Sequence, residues 1–261
     1  MAMRDQDHPR RILLEVCIAS ADDAEAAAAG GAGRLELNTA LALGGLTPSA
    51  GLVAEVLASV ALPVIVMIRP RAGGFCYGDA EWRTMRRDAA AALDAGAAGV
   101  AFGALTADGR VDAARCREMV RHVEPAEAVF HRAFDVTPDP AEALERLIDA
   151  GVRRVMTSGQ APTALEGAAL IAGLIEQARG RIEVLPAAGI NPRTVAAVVG
   201  RTGCDQVHAS LRTRRVDPST AARPQIRFGG DDGYEATNGE AVAEMVRLLK
   251  ACGRPGDAAA L

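Results

Sequence analysis

In the segment VFHRAFDV, Val129 to Val136, three polar or ionisable side chains interrupt an apolar frame suited to a sheet interior: His131, Arg132 and Asp135. Similar intrusions recur along the chain. Glu15 and Cys17 stand in ILLEVC, Glu36 and Asn38 in RLELN, Arg69 closes PVIVMIR, and His208 and Ser210 stand in DQVHAS. Burying two glutamates together is costly unless each meets a cation or a donor. Arg69, His131 and His208 are the available partners. The set suits acid–base chemistry: Glu15 or Glu36 as general base, His131 or His208 as acid, Asp135 completing the catalytic candidates, and Arg69 holding an anionic substrate. Proton abstraction, isomerisation or lyase chemistry would fit. Schiff-base chemistry needs a desolvated lysine, and the single lysine, Lys250, falls near the end of the last expected helix.

Short apolar runs that read as strands alternate with longer Ala-rich amphipathic runs that read as helices. The strands are ILLEVC, RLELN, PVIVMIR, GVAFGAL, AVFHRAF, RRVMTSG, IEVLPAAG and DQVHAS. Ser20 or Asp22 is expected to cap the first helix, and Thr47, with Pro48 in the first turn, the second. About eight strand–helix units in 261 residues point to a single-domain α/β fold, a (β/α)8 barrel. No GxGxxG follows the first strand, so no nucleotide cofactor is expected. Residues 1–11 and 253–261 read as a flexible N-terminus and a tail. Leu211 to Ala236 reads as one long polar loop after the last strand.

Strand side chains alternate between two faces, and in a barrel the outer face must be apolar. Sorting five strands by this rule sends Glu15, Cys17, Glu36, Asn38, Arg69, His131, Asp135, His208 and Ser210 inward, near the C-terminal mouth where barrel enzymes place their sites. Arg132 falls on the outer parity, where it would snorkel or pair with a helix carboxylate.

Three loops add candidate ligand-binding residues. In AAGINPRT, Gly189 permits a tight turn, Asn191 can cap and Pro192 suits a first helical position, so that backbone N–H groups could face an anion. HASLRTRR brings Ser210, Arg212 and Arg214 beside it, and loops after strands seven and eight often hold phosphate. TSGQ offers Ser158 as a donor. RPRAGGFCYGD carries Arg71, Phe75, Cys76 and Tyr77 around a Gly-Gly turn and reads as a segment that covers the site.

Composition excludes several classes. A net charge of −4 without a basic block leaves no electrostatic footprint for nucleic acid or anionic membranes. With 3% aromatics, base-stacking platforms are absent and the core must come from Ala, Val, Leu and Ile. No apolar run approaches membrane-spanning length. Five dispersed cysteines without a CxxC pair suggest reduced thiols in a cytosolic protein, and the polar start MAMRDQDHPRR does not read as a signal peptide.

Taken in order, LLEVCIAS, RLELNTALALGGLTPS, IRPRAGGFCY, FHRAFD, VMTSGQ and EVLPAAGIN resemble the CutC family, known as copper homeostasis proteins, from about Leu13 to Ser210. The resemblance implies a (β/α)8 barrel, a cytoplasmic location, self-association as a homodimer or higher oligomer, and binding of a copper ion. Because cuprous ion prefers sulfur donors, Cys17 and Cys76 are the expected metal ligands, within about 4 Å of a shared position. The alternative is a barrel enzyme acting on a small anionic or phosphorylated substrate.

Overall fold

The computed structural model describes residues 11–253, apart from 221, 224 and 227–232. The expected N-terminal arm and C-terminal tail therefore lie almost wholly outside the described residues. Eight strands run in parallel: β1 (Leu13–Ile18), β2 (Arg34–Leu37), β3 (Val64–Met67), β4 (Gly99–Phe102), β5 (Glu127–Phe130), β6 (Arg154–Thr157), β7 (Glu183–Pro186) and β8 (Gln206–Ala209). They hydrogen-bond in the order β7-β6-β5-β4-β3-β2-β1-β8, a nearly closed barrel whose seam lies between β7 and β8. Helices α1 (Ala21–Ala29), α2 (Ala50–Ser59), α3 (Asp79–Asp94), α4 (Ala113–Val123), α5 (Pro140–Asp149), α6 (Ala168–Ala178), α7 (Val195–Thr202) and α8 (Gly239–Cys252) each follow a strand or the closing hairpin.

The main core lies between strands and helices. Outward residues such as Val16, Leu35, Val66, Phe102 and Phe130 meet Ala27, Val53, Met85, Met119 and Leu144 there. The lumen is divided. Ile65, Met67, Ala101 and Val129 form one small apolar cluster and Met156, Leu185 and Ala187 another, while β1, β2, β6 and β8 bury the polar or charged side chains of Glu15, Arg34, Glu36, Arg154 and Gln206.

Local chemistry explains most helix starts. Ser20 accepts from Asp23 N at 3.0 Å and caps α1, as one of the two expected residues. Ser49, not Thr47, caps α2 by accepting from Leu52 N at 3.2 Å. Thr47 is drawn away because its Oγ1 accepts from the backbone N of Arg69 at 2.9 Å, tying the loop after β2 to the end of β3.

Two segments differ from the sequence reading. The fifth strand ends at Phe130, and Arg132–Val136 forms a short 3-10 helix. His131 terminates the strand because its Nδ1 accepts from Ala133 N at 3.1 Å, a side-chain cap that competes with the ladder. Asp135 is thus placed by a helical turn rather than by strand alternation. The expected 211–236 loop is also partly regular. Its ends form an antiparallel hairpin of β9 (Arg212–Val216) and β10 (Gly233–Thr237). Thr213, Val216, Tyr234 and Thr237 are residues that suit a two-stranded ribbon, and Arg214 stands opposite Glu235 in its register. Thr237 N donates to Asp23 Oδ1 at 2.6 Å, which docks the hairpin on α1.

Candidate metal and anion site at the barrel mouth

Four strand-borne residues and one loop residue meet on the β8–β1–β2 side of the lumen. Register places Glu15 beside His208 across β1 and β8, and Cys17 beside Glu36 across β1 and β2. His208 Nδ1 lies 2.8 Å from Glu15 Oε1, and Nε2 lies 3.9 Å from Glu36 Oε2. Asn38 Nδ2 donates to Glu36 Oε2 at 2.8 Å and reaches Cys17 Sγ at 3.5 Å. One donor atom each from Cys17, Glu36 and His208 falls within 4.8 Å of the others, and among the described residues this is the group of three or more such donors. Glu36 Oε1 is buried with no partner.

The electrostatics follow from this contact list. Burial alone would raise Glu15, but the His208 hydrogen bond and the charges of Arg34 and His208 outweigh it and hold the carboxyl at about 2. Burial, with the Glu15 charge nearby, raises Glu36 instead, against the pull of His208. Burial opposes charging of His208, yet Glu36, Cys17 and Glu15 together raise it well above its ordinary value. Glu15 therefore holds Nδ1 in place and leaves Nε2 facing Cys17 and Glu36. Metal-binding histidines commonly have a carboxylate behind them that bonds the ring nitrogen away from the metal and orients the ring. A thiol, a carboxylate and an imidazole form a mixed sulfur, oxygen and nitrogen set that suits copper or another borderline metal ion.

Below this cluster lies an ion network that the sequence reading did not single out. Arg34 pairs with Glu15 and donates to Gln206 Oε1 at 2.7 Å. Arg154, 2% exposed, donates to Glu183 at 2.7 Å, Glu127 at 3.0 Å and Gln206 at 3.1 Å. Gln206 Nε2 in turn donates to Glu183 at 3.2 Å, so side chains bridge the seam between β7 and β8. The signal for Arg34 was its shared parity with Glu36. Strands four, six and seven carried the same signal unsorted.

A second polar group forms on the β3–β5 side. Arg69 donates to the carbonyls of Leu43 and Gly45 at 3.0 Å and of Gly73 at 2.8 Å, binding two loops together. Its guanidinium stacks over Phe75 at 5.2 Å, and Phe75 lies 5.0 Å from the His131 ring. Burial first, and the Arg69 charge second, push His131 down to about 3, so it is neutral. The two groups touch through Gly45. It accepts from Arg69 and has φ +82, and an added Cβ would lie 2.4 Å from Asn38 Oδ1.

Asp135 is saturated. It accepts from Thr157 Oγ1 at 2.5 Å, Ser158 N at 3.0 Å, Ser158 Oγ at 3.0 Å and Arg132 Nε at 2.8 Å, which makes it the clamp of the TSGQ turn. Arg132, expected outside the barrel, belongs instead to the mouth because the 3-10 turn rotates it there; its Nη2 donates to Ser158 Oγ at 3.0 Å. Together with Cys17, His208, Gly189, Asn191, Ser210 and Arg212 it lines a cleft of about 450 Å³. Asn191 Oδ1 accepts from Arg193 N at 2.9 Å and caps the turn that precedes α7. Arg71 lies in neither polar group: it pairs with Glu81, donates to Gly74 O at 3.0 Å and Cys76 O at 3.1 Å, and stacks over Tyr77 at 5.0 Å. Cys76 is exposed on the same loop and is not among the clustered donors; the partners of Cys17 there are Glu36 and His208.

The CutC family model matches residues 12–213, which span all eight barrel strands and the start of the hairpin. The chain belongs to the CutC family. A CutC family protein of Treponema denticola is 45% identical over 246 residues, covering 92% of this chain and 99% of that one. The copper homeostasis protein cutC homolog of Homo sapiens is 46% identical over 203 residues, covering 78% of this chain and 74% of that one. Among solved structures, a CutC from Streptococcus agalactiae superposes with a TM-score of 0.72 at 31% identity, over 76% of this chain and 97% of that one. An aldolase at 20% identity and TM-score 0.56 shares the barrel fold.

The remaining cysteines are not among the clustered donors of the mouth. Cys116 and Cys204 are buried and Cys252 is half-buried; burial pushes the Cys116 thiol far up, which leaves it inert. Lys250 is exposed near the C-terminal end of α8.

Proposed function

We propose that this protein binds a copper ion at the barrel mouth through Cys17, Glu36 and His208, as part of copper homeostasis in the cytoplasm. The observation that carries the reading is the convergence of three different donors, one of them a carboxylate whose second oxygen, Glu36 Oε1, is buried without a partner, with His208 held from behind by Glu15. A bound cation would supply the partner that this buried oxygen lacks and would replace the proton on His208. Membership of a family with copper homeostasis proteins supports copper as the ion. Five cysteines without a disulfide suit a reducing compartment. Self-association into a homo-oligomer is part of the same proposal, and light scattering of the purified protein tests it.

The test of binding is titration of the metal-free protein with copper under reducing and non-reducing conditions, with metal content measured on the same samples. One ion per chain is expected. Stoichiometric binding that survives both Cys17→Ser and His208→Ala would overturn the assignment. Cys76→Ser, on the exposed loop, is expected to leave affinity unchanged.

A second reading, acid–base catalysis on a small substrate, is favoured by one observation: a glutamate with a raised pKa faces an imidazolium at a cleft. Turnover by metal-free protein, lost in Glu36→Gln, would support it over the first.

A further inference from the structure

We infer that the cleft beside this cluster is a binding site for a phosphate group, anchored by Arg212 and Arg132 and independent of any metal. The cleft lies where the loops after β7 and β8 meet the mouth, and its volume of about 450 Å³ is that of a small-molecule site. The Arg212 side chain is only 9% exposed. Its hydrogen bonding is nonetheless poor: Nη2 reaches Cys17 O at 3.4 Å, Nη1 lies 4.0 Å from Glu235, and Nε is buried without a partner. A guanidinium taken so far from water needs acceptors, and a phosphate offers them in the bidentate geometry arginine prefers. Arg132 satisfies Asp135 and Ser158 through Nε and Nη2, and among the described residues its Nη1 has no partner. His208 forms part of the same wall. The facing carboxylates leave the charge of Arg212 without a close partner. Asp135 is taken up by Arg132 and four further hydrogen bonds to the TSGQ turn, and Glu235 is 66% exposed and at the limit of ion-pair distance.

The backbone is also shaped for the cleft. Ala188 and Leu211, two of its lining residues, hold φ angles of +80 and +47. Residues with a side chain rarely adopt such a conformation, and backbone strain of this kind gathers where a ligand is clamped. At Leu211 the turn aims Arg212 back across the mouth instead of out along the hairpin.

The experiment is calorimetric titration of metal-free protein with inorganic phosphate, glycerol 3-phosphate and acetate. Metal-free protein keeps this test separate from the copper proposal, since phosphate binding here neither needs nor excludes an ion at Cys17. Phosphate is expected to bind, and acetate to bind at least about tenfold more weakly. Arg212→Gln and Ser210→Asp should each weaken phosphate at least about tenfold, whereas Arg215→Gln, on the exposed outer part of β9, should not change it. Ser210 is exposed, so Ser210→Asp retains the fold even if Arg212→Gln does not, and it puts a negative charge in the cleft. Tighter binding of glycerol 3-phosphate than of inorganic phosphate would identify a phosphorylated small molecule as the occupant; equal binding would identify free phosphate. Phosphate binding that is no stronger than acetate, or unchanged in Ser210→Asp, overturns the inference.

Discussion

At the scale of single residues, the mouth is governed by what each ionisable group faces. Glu15 does not line the cleft, yet it holds the His208 ring through Nδ1, 2.8 Å from its carboxylate. Glu15→Gln should therefore weaken copper binding by about 10- to 100-fold while the ligands stay in place, measured by competition with a chelator of known affinity. Because His208 is raised well above its ordinary value, an incoming ion must displace a proton over a wide pH range. Copper affinity should keep rising with pH past 6.5, and a plateau there would contradict the proton count. His131 works with the opposite sign. Its native pKa of about 3 lies below the unfolded value of 6.5, so between those pH values only the unfolded chain takes up the proton. Stability is lost as pH falls from about 6.5 toward 3. Urea denaturation across that window should show a shallower acid loss for His131→Phe than for the parent; equal slopes would mean the imidazole is not buried neutral.

At the scale of elements, short turns rather than strands carry several polar side chains into place. The VFHRAFDV segment looks like one strand by its apolar frame. It is a strand that stops at Phe130 and a 3-10 turn that starts with the His131 cap, because a side-chain acceptor beside its own backbone N–H outcompetes the ladder. This arrangement needs Gly103 on the neighbouring strand's exit, where an added Cβ would lie 2.3 Å from His131 Cε1. Gly103→Ala should destabilise the protein by about 1–3 kcal/mol, read as a lowered thermal midpoint. It should also displace the ring from Phe75. Loss of stability in Gly103→Ala should shrink in the His131→Ala background; full additivity would show that the two residues do not meet.

At the scale of the whole molecule, the lumen is a vertical sequence of charge. The ion network of Arg34, Arg154, Glu127, Glu183 and Gln206 fills the lower barrel, the Glu15–His208–Glu36 relay stands above it, and the cleft opens at the top. The seam between β7 and β8 is closed by Glu183, Gln206 and Arg154 side chains rather than by a backbone ladder. Arg154→Ala leaves buried or half-buried carboxylates without their cation and should cost about 3–5 kcal/mol in denaturant unfolding. Arg154→Met should cost less when combined with Glu183→Leu, since a matched apolar replacement removes the stranded charge.

Alternation alone brought Glu15, Cys17, Glu36 and His208 to one lumen, because a strand's side-chain period is fixed by its backbone and a barrel has only one interior. The motif order likewise carried the family, and the repeated strand–helix rhythm carried the barrel. The tertiary structure decided what depends on contacts between distant segments. It brought donor atoms of Glu36 and His208, and not that of Cys76, within 4.8 Å of Cys17, because donor distances across neighbouring strands follow from register and tilt. It turned Arg132 and Arg212 into the cleft, since a 3-10 turn and a left-handed Leu211 set those directions and neither leaves a period in the sequence. It also separated Asp135, saturated by the TSGQ turn, from the ionisable cluster it resembled in type. Residue identity limits which chemistry is available, and only packing determines which groups remain unpaired to perform it.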